Sequence, residues 1–205
     1  MTKIKICGIK TPEAMEAAIY GGADFVGLVF HPPSPRHVEI EVAAYLARYV
    51  PATTAVVGLF VNPTDDLLTQ TLTNVRIDLI QLHGDETPQR VKTISDTYQK
   101  PIIKSFSVAT PKDLSEISRF EDVADWYLLD SGSGGTGKPF DWSLLDGFKP
   151  QKPWMLAGGL NDQNVGDAIT RLKPHAVDVS SGVESVRGVK LPYKITTFMT
   201  AVKNA

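Results

Sequence analysis

A single cysteine, Cys7, stands among 205 residues, so no disulfide can close within the chain. The stapled folds of oxidising compartments are thereby excluded, and a reducing cytoplasm is expected. Charge of one sign is also missing: 21 Lys and Arg stand against 23 Asp and Glu, with no basic run and no acidic tail. That balance gives no electrostatic footprint for nucleic acid or an anionic membrane surface. Neither the opening MTKIKICGIK nor any later stretch has the apolar run of a signal peptide or of a span of ~18 residues. The four histidines, His31, His37, His83 and His175, show no metal-ligand spacing, so chemistry without metal or other cofactor is expected. No linker, low-complexity tract or strict repeat divides residues 1–205, which read as a single domain able to bury about 70% of its unfolded surface. Partners are expected to be small molecules, with the chain working as a monomer or homodimer.

What is present is an alternation. Short β-rich runs begin at Lys3, Asp24, Thr54, Asp78, Pro101, Asp125, Pro153 and Ala176. Helix starts follow them at Thr11-Pro12, Val38, Pro63-Thr64-Asp65, Glu86, Thr110-Pro111, Phe140-Asp141, Asn161-Asp162 and Lys190. Several of these place Ser, Thr, Asp or Asn at the cap, or Pro in the first turn. Met15, Ala18 and Ile19, and likewise Leu67, Leu68, Leu72 and Val75, recur at helical spacing, whereas the strand runs are almost continuously apolar. About 26 residues per βα unit predicts an α/β protein of the closed eight-stranded parallel (β/α)8 type. An open doubly wound sheet of eight strands would need protected edges.

Alternation within strands tests this. Ile4 and Ile6 alternate with Lys3, Lys5 and Cys7, and Val177 and Val179 with Asp178 and Ser180. If the aliphatic sets face the helices, Lys5 and Asp178 point into the barrel from strands that meet only on closure. Buried charges persist when paired, so an ion pair between them is predicted.

Barrel enzymes carry their chemistry where strands end. Cys7 closes the first run and Asp130 the sixth. Singly, each has a bland reading, a small buried hydrophobe and a turn cap. Together at one barrel mouth they suggest a base and a proton donor. Glycine-bearing segments follow the last three runs, SGSGGTGKPFDW, LAGGLN and SSGVE. Glycine lets backbone N–H groups approach an oxyanion, so these segments predict phosphate binding. Arg36, in the proline-stiffened HPPSPRHV, suits a carboxylate, or else pairs with Glu39 or solvent. His83 reads either as catalytic or as a hydrogen-bonding residue of the mouth.

KICGIK, GADFVGLVFHPPSPR, VGLFVN, IQLHGDE, LLDS, GGTGKPFDW, LAGGLN and VDVSSGVE occur in chain order. With these segments the chain resembles the phosphoribosylanthranilate isomerases over nearly its whole length. The resemblance implies a TIM barrel that performs an Amadori rearrangement in tryptophan biosynthesis. It implies Cys7 as general base, Asp130 as general acid and Arg36 at the anthranilate carboxylate. Phosphate would be held by Gly158, Gly159, Ser181 and Gly182, with Gly134, Gly135 and Gly137 nearby; His83, from its own place at the mouth, is expected among the substrate-binding residues. An aspartic acid near ~3.9 and a thiol near ~8.5 are both poorly poised at neutral pH. Asp130 is therefore expected to be raised, and Cys7 to be lowered or set beside a cation. Three other readings stand beside this one: another phosphate-binding barrel isomerase or epimerase, acceptance of the related histidine-pathway substrate, and a non-enzymatic phospho-metabolite binding module.

Overall fold

The computed structural model describes residues 1–131 and 141–205. Its eight parallel strands are β1 (Lys3–Cys7), β2 (Phe25–Val29), β3 (Ala55–Phe60), β4 (Leu79–Leu82), β5 (Ile102–Val108), β6 (Trp126–Ser131), β7 (Trp154–Leu156) and β8 (Ala176–Val179). They pair in sequence order and close into a barrel, β1 lying beside β8 with Lys5 level with Asp178. Outside pack α1 (Pro12–Tyr20), α2 (Ile40–Ala47), α3 (Asp65–Asn74), α4 (Pro88–Tyr98), α5 (Pro111–Glu116), α6 (Val165–Leu172) and α7 (Pro192–Lys203).

Parity sorts the core into two shells. Ile4, Ile6, Val177 and Val179 belong to the outer cluster, with Met15, Ala18 and Leu68 from the helices and Val75 just after α3. The barrel floor is filled by Phe25, Val57, Leu79, Ile103, Leu128, Met155 and Ala176. Lys3 Nζ lies 5.7 Å from the Phe25 ring and 5.9 Å from the Trp126 ring, closing the bottom. One residue pair further up the strands, the ion pair predicted from alternation is present: Lys5 Nζ donates to Asp178 Oδ1 at 2.7 Å, with Lys5 fully buried.

The strand starts share one device. Asp24, Asp78 and Asp125, each just before an even-numbered strand, accept from the N–H groups of Ile4, Val56 and Ile102 at 2.9, 2.8 and 2.7 Å. His175 Nδ1 does the same for Trp154 at 3.3 Å. Backbone donors at the base of every odd strand are thus satisfied by the neighbouring side chain, which pins register around the ring.

Three helix starts, at Thr11-Pro12, Thr64-Asp65 and Thr110-Pro111, lie where capping chemistry predicts. Thr11, Thr64 and Thr87 accept from Ala14, Leu67 and Arg90, and proline occupies the first turn of α1, α4, α5 and α7. Others shift. The helix expected from Val38 starts at Ile40, that from Asn161-Asp162 at Val165, that from Glu86 at Pro88 and that from Lys190, which ends a short strand, at Pro192. The expectation of eight helices is corrected: the segment after Phe140-Asp141 forms only a 3₁₀ turn, Trp142–Leu145, among the described residues. Gly147, Pro150 and Pro153 follow too closely for a longer helix. A further element follows β8: a 3₁₀ turn, Ser181–Val183, leads into a small antiparallel hairpin, β9 (Glu184–Val186) and β10 (Val189–Lys190).

Candidate active site

The carboxyl ends of the strands surround a cleft of about 350 Å³ whose lining includes Cys7, Arg36, Gln81, His83, Asp130 and Asp178. Cys7 is the last residue of β1, one inward position above Lys5. Val29 and Leu59 pack beside it, and Gly27 gives its sulfur room, since a Cβ there would sit 2.9 Å from Sγ. Asp130 arrives from β6, two positions beyond the floor residue Leu128. Gly158, at φ +83°, makes space for it: a Cβ would lie 2.6 Å from the Ser131 N and 2.9 Å from Asp130 Oδ1.

The two groups titrate differently. Burial first, and then the charge of Asp178, push Asp130 up to about 6, against hydrogen bonding from Ser131 and the charge of Lys5. The expected rise is therefore present. Cys7 is shifted upward as well, because burial outweighs the pull of the Lys5 and Lys190 cations, to which Asp178 adds opposition. The cations foreseen for it are in place, but the lowering is corrected: near neutral pH Cys7 is held as a thiol. Burial and the nearby Lys5 charge lower His83 to about 4, so its ring is neutral. Its Nε2 stands 3.7 Å from Asp130 Oδ2. The loop carrying His83 is anchored by Lys104 Nζ, 3.1 Å from Glu86 Oε2 and donating to the Gly84 carbonyl at 2.7 Å. Glu86 is thus a loop anchor, which is why α4 begins two residues later.

Arg36 is paired with neither Glu39 nor solvent. Its Nε and Nη2 donate to the two carboxylate oxygens of Glu184 at 2.7 and 3.0 Å, and Lys190 Nζ donates to Glu184 Oε1 at 2.7 Å. Glu39 instead stands 3.3 Å from His37 Nε2. Two cations share one carboxylate, leaving an excess positive charge at the cleft wall for an anionic ligand group. Glu184 and Lys190 are absent from the sequence-based site. Their only local signal is Arg187-Gly188, a turn between short β-prone pieces, with Gly188 at φ +88°.

Glu184 is held at about 2. Burial works in the opposite direction, but the Arg36 hydrogen bonds and the Lys190 charge prevail. A value depressed below the ordinary 4.5 stabilises the fold above that pH, and the contribution disappears as pH falls from 4.5 toward 2. The full shift corresponds to on the order of 3 kcal/mol. Glu184→Gln is expected to melt at least ~5 °C lower at pH 7. That gap should close on acidification, and thermal melts showing the same gap at both ends of the pH range would contradict the account.

Gly158 and Gly159 follow β7 on the cleft wall, with Ser181 after the neighbouring β8. The backbone N–H groups of Gly158 and Gly159 donate to no other group among the described residues. Gly182 does not line the cleft; it packs against the Leu160 carbonyl. Gly134, Gly135 and Gly137 lie outside the described residues. Among the described residues, no group of three or more His, Cys, Asp or Glu stands where it would hold a metal, and no helix is long and apolar enough to cross a membrane.

The model of the family described as N-(5'-phosphoribosyl)anthranilate (PRA) isomerase matches residues 4–201. The chain belongs to this family. It is 44% identical over 212 residues to the N-(5'-phosphoribosyl)anthranilate isomerase of Parvibaculum lavamentivorans, covering 99% of each. With that of Paramagnetospirillum magneticum it shares 48% over 208 residues, covering 98% of this chain and 97% of the other. The crystal structure of phosphoribosyl anthranilate isomerase from Thermotoga maritima superposes with a TM-score of 0.92 at 34% identity over the whole of both chains. A crystal structure of phosphoribosyl anthranilate isomerase in complex with reduced 1-(o-carboxyphenylamino)-1-deoxyribulose 5-phosphate gives 0.90 at 33% identity, again over the whole of both chains. Like its relatives, this chain is an isomerase of tryptophan biosynthesis.

Proposed function

We propose that this isomerase converts N-(5-phosphoribosyl)anthranilate to 1-(o-carboxyphenylamino)-1-deoxyribulose 5-phosphate with Asp130 as general acid and Cys7 as general base. Asp130 gives its proton to the ribose ring oxygen. The C1′–O bond breaks and the anilino nitrogen lone pair forms C1′=N. Cys7, as thiolate, removes the C2′ proton; the electrons of that bond form C1′=C2′ and the C=N pair returns to nitrogen. The enolamine then tautomerises to the ketone. No redox partner is needed, because C1′ is reduced as C2′ is oxidised.

The observation that carries this reading is the meeting of Cys7 and Asp130 in one cleft, with burial holding Asp130 near 6, so that a useful fraction is protonated at neutral pH. The Nη1 of Arg36, beyond its two bonds to Glu184, faces the anthranilate carboxylate. The phosphate lies on the turns that bear Gly158, Gly159 and Ser181, with Gly182 setting the second turn. One barrel domain, residues 1–205, carries the reaction in the cytoplasm as a monomer or homodimer; a Thermotoga maritima relative is described as dimeric.

The test is the loss of phosphoribosylanthranilate fluorescence with purified protein in chelator. Turnover should be undiminished by the chelator. In Arg36→Ala, KM should rise roughly ten- to a hundredfold, as expected for one charge-assisted contact remote from the reacting bonds, with kcat much less affected. No turnover by the wild type would refute the proposal, and an unchanged KM would remove Arg36 from the carboxylate.

A further inference from the structure

Gln81 is fully buried on the inner face of β4, one inward position below His83. Its Nε2 lies 2.9 Å from His83 Nδ1 and donates to Ser105 Oγ at 3.1 Å, while its Oε1 has no partner among the described residues. A primary amide has two donors, and both are used here. With the amide nitrogen toward the ring, Nδ1 must be the acceptor and the ring proton must sit on Nε2, the atom 3.7 Å from Asp130 Oδ2. The opposite amide orientation would place the proton on Nδ1 and present a lone pair to Asp130. A neutral histidine so held contributes a direction, not a charge.

We propose that Gln81 is a positioning residue that pins His83 as the Nε2–H tautomer, so that the carboxylate formed when Asp130 gives up its proton meets a ready donor. The inference rests on the acid role of Asp130. At 3.7 Å the contact is longer than a formed hydrogen bond, and such contacts commonly tighten in the substrate complex. The charged groups around it are Asp178 and Lys5 from β8 and β1, Arg36 after β2, Lys104 from β5 and Glu86 after β4. None of them fixes which ring nitrogen of His83 carries hydrogen; Gln81 does.

The test combines ring-¹⁵N NMR of histidine-labelled protein with carboxyl-¹³C titration of Asp130. The His83 signals are assigned by their loss in His83→Gln. In the wild type at neutral pH the ring should carry hydrogen on Nε2 alone. Gln81→Met, similar in size and apolar, should give a mixture of tautomers, an Asp130 midpoint moved upward, and kcat about tenfold lower with KM within about twofold. In the His83→Gln background, where no tautomer exists, Gln81→Met should cost nothing further. Hydrogen on Nδ1 in the wild type would overturn the proposal, as would a Met variant with unchanged tautomer and midpoint. The wild-type spectrum alone decides if that variant does not fold. The expected spectra in a protein that fails to turn over phosphoribosylanthranilate would uphold the Gln81 assignment while refuting the acid role of Asp130.

Discussion

Cys7→Ala is expected to lower kcat by 10² to 10⁴, the usual contribution of a positioned general base, while product affinity stays near the wild-type value. The two pKa shifts add a second expectation. The acid sits at about 6, and the base lies above the ordinary thiol range. The reactive pair, protonated Asp130 with ionised Cys7, is then the minor arrangement of the two protons. With a thiol at the ordinary ~8.5 it would be roughly one molecule in 300, and burial makes it fewer. The kcat/KM profile is still bell-shaped, but its limbs belong to the opposite groups from those intuition assigns. The acid limb falls away below about 6, where Asp130 is titrating, and the alkaline limb reports Cys7. Residual Cys7→Ala turnover, needing only protonated Asp130, should be level below about 6 and decline above it, without the rising acid limb. Near-normal turnover, or a rising acid limb that survives, would remove Cys7 from the mechanism. Lys5 acts on the same balance: its charge pulls the thiol down, so Lys5→Met should slow turnover further by raising Cys7. That change also strands Asp178, so a cost of 3–5 kcal/mol in stability accompanies it.

Much of this arrangement was legible in the sequence because it follows from strand alternation, which is local. The period of two in KIKIC places Lys3, Lys5 and Cys7 on one face. The same rule applied to AVDV made Asp178 the partner of Lys5. Resemblance supplied the roles of Cys7, Asp130 and Arg36, and the family match bears out the family itself. What stayed hidden depends on elements far apart in the chain. The carboxylate that Arg36 grips belongs to Glu184, 148 positions away, and no spacing rule links them. The rise at Cys7 is a contest between burial and two lysines, whose sign depends on how deeply the sulfur is packed by Val29 and Leu59. The sixth helix was overestimated because Asp141 caps a turn as well as a helix, and only the downstream Gly147 and Pro150 decide which.

Asp130→Asn is expected to lose at least 10² in kcat, and to become more stable as it does so. The carboxyl group titrates at about 6 in the fold against an ordinary 3.8. A raised acid favours the folded state only while it is protonated, so stability declines as pH rises from 3.8 to 6 and stays lower above. The whole shift amounts to on the order of 3 kcal/mol, and the partial access of water to the group reduces this to roughly 2. The asparagine variant carries no such charge. It should melt roughly 4 to 8 °C above the wild type at pH 8, with the advantage shrinking to about a third by pH 4.5, where the wild-type carboxyl is largely protonated. Scanning calorimetry at the two pH values, beside the fluorescence assay, reads both effects from one preparation. An inactive variant with no gain in stability at pH 8 would mean that Asp130 is not held in a strained ionisation state. A gain of equal size at both pH values would assign it to packing and not to charge. Loss of rate together with a pH-dependent gain in stability is the signature of a fold that keeps a carboxylic acid where burial disfavours its ionised form, so that it can deliver a proton near neutral pH.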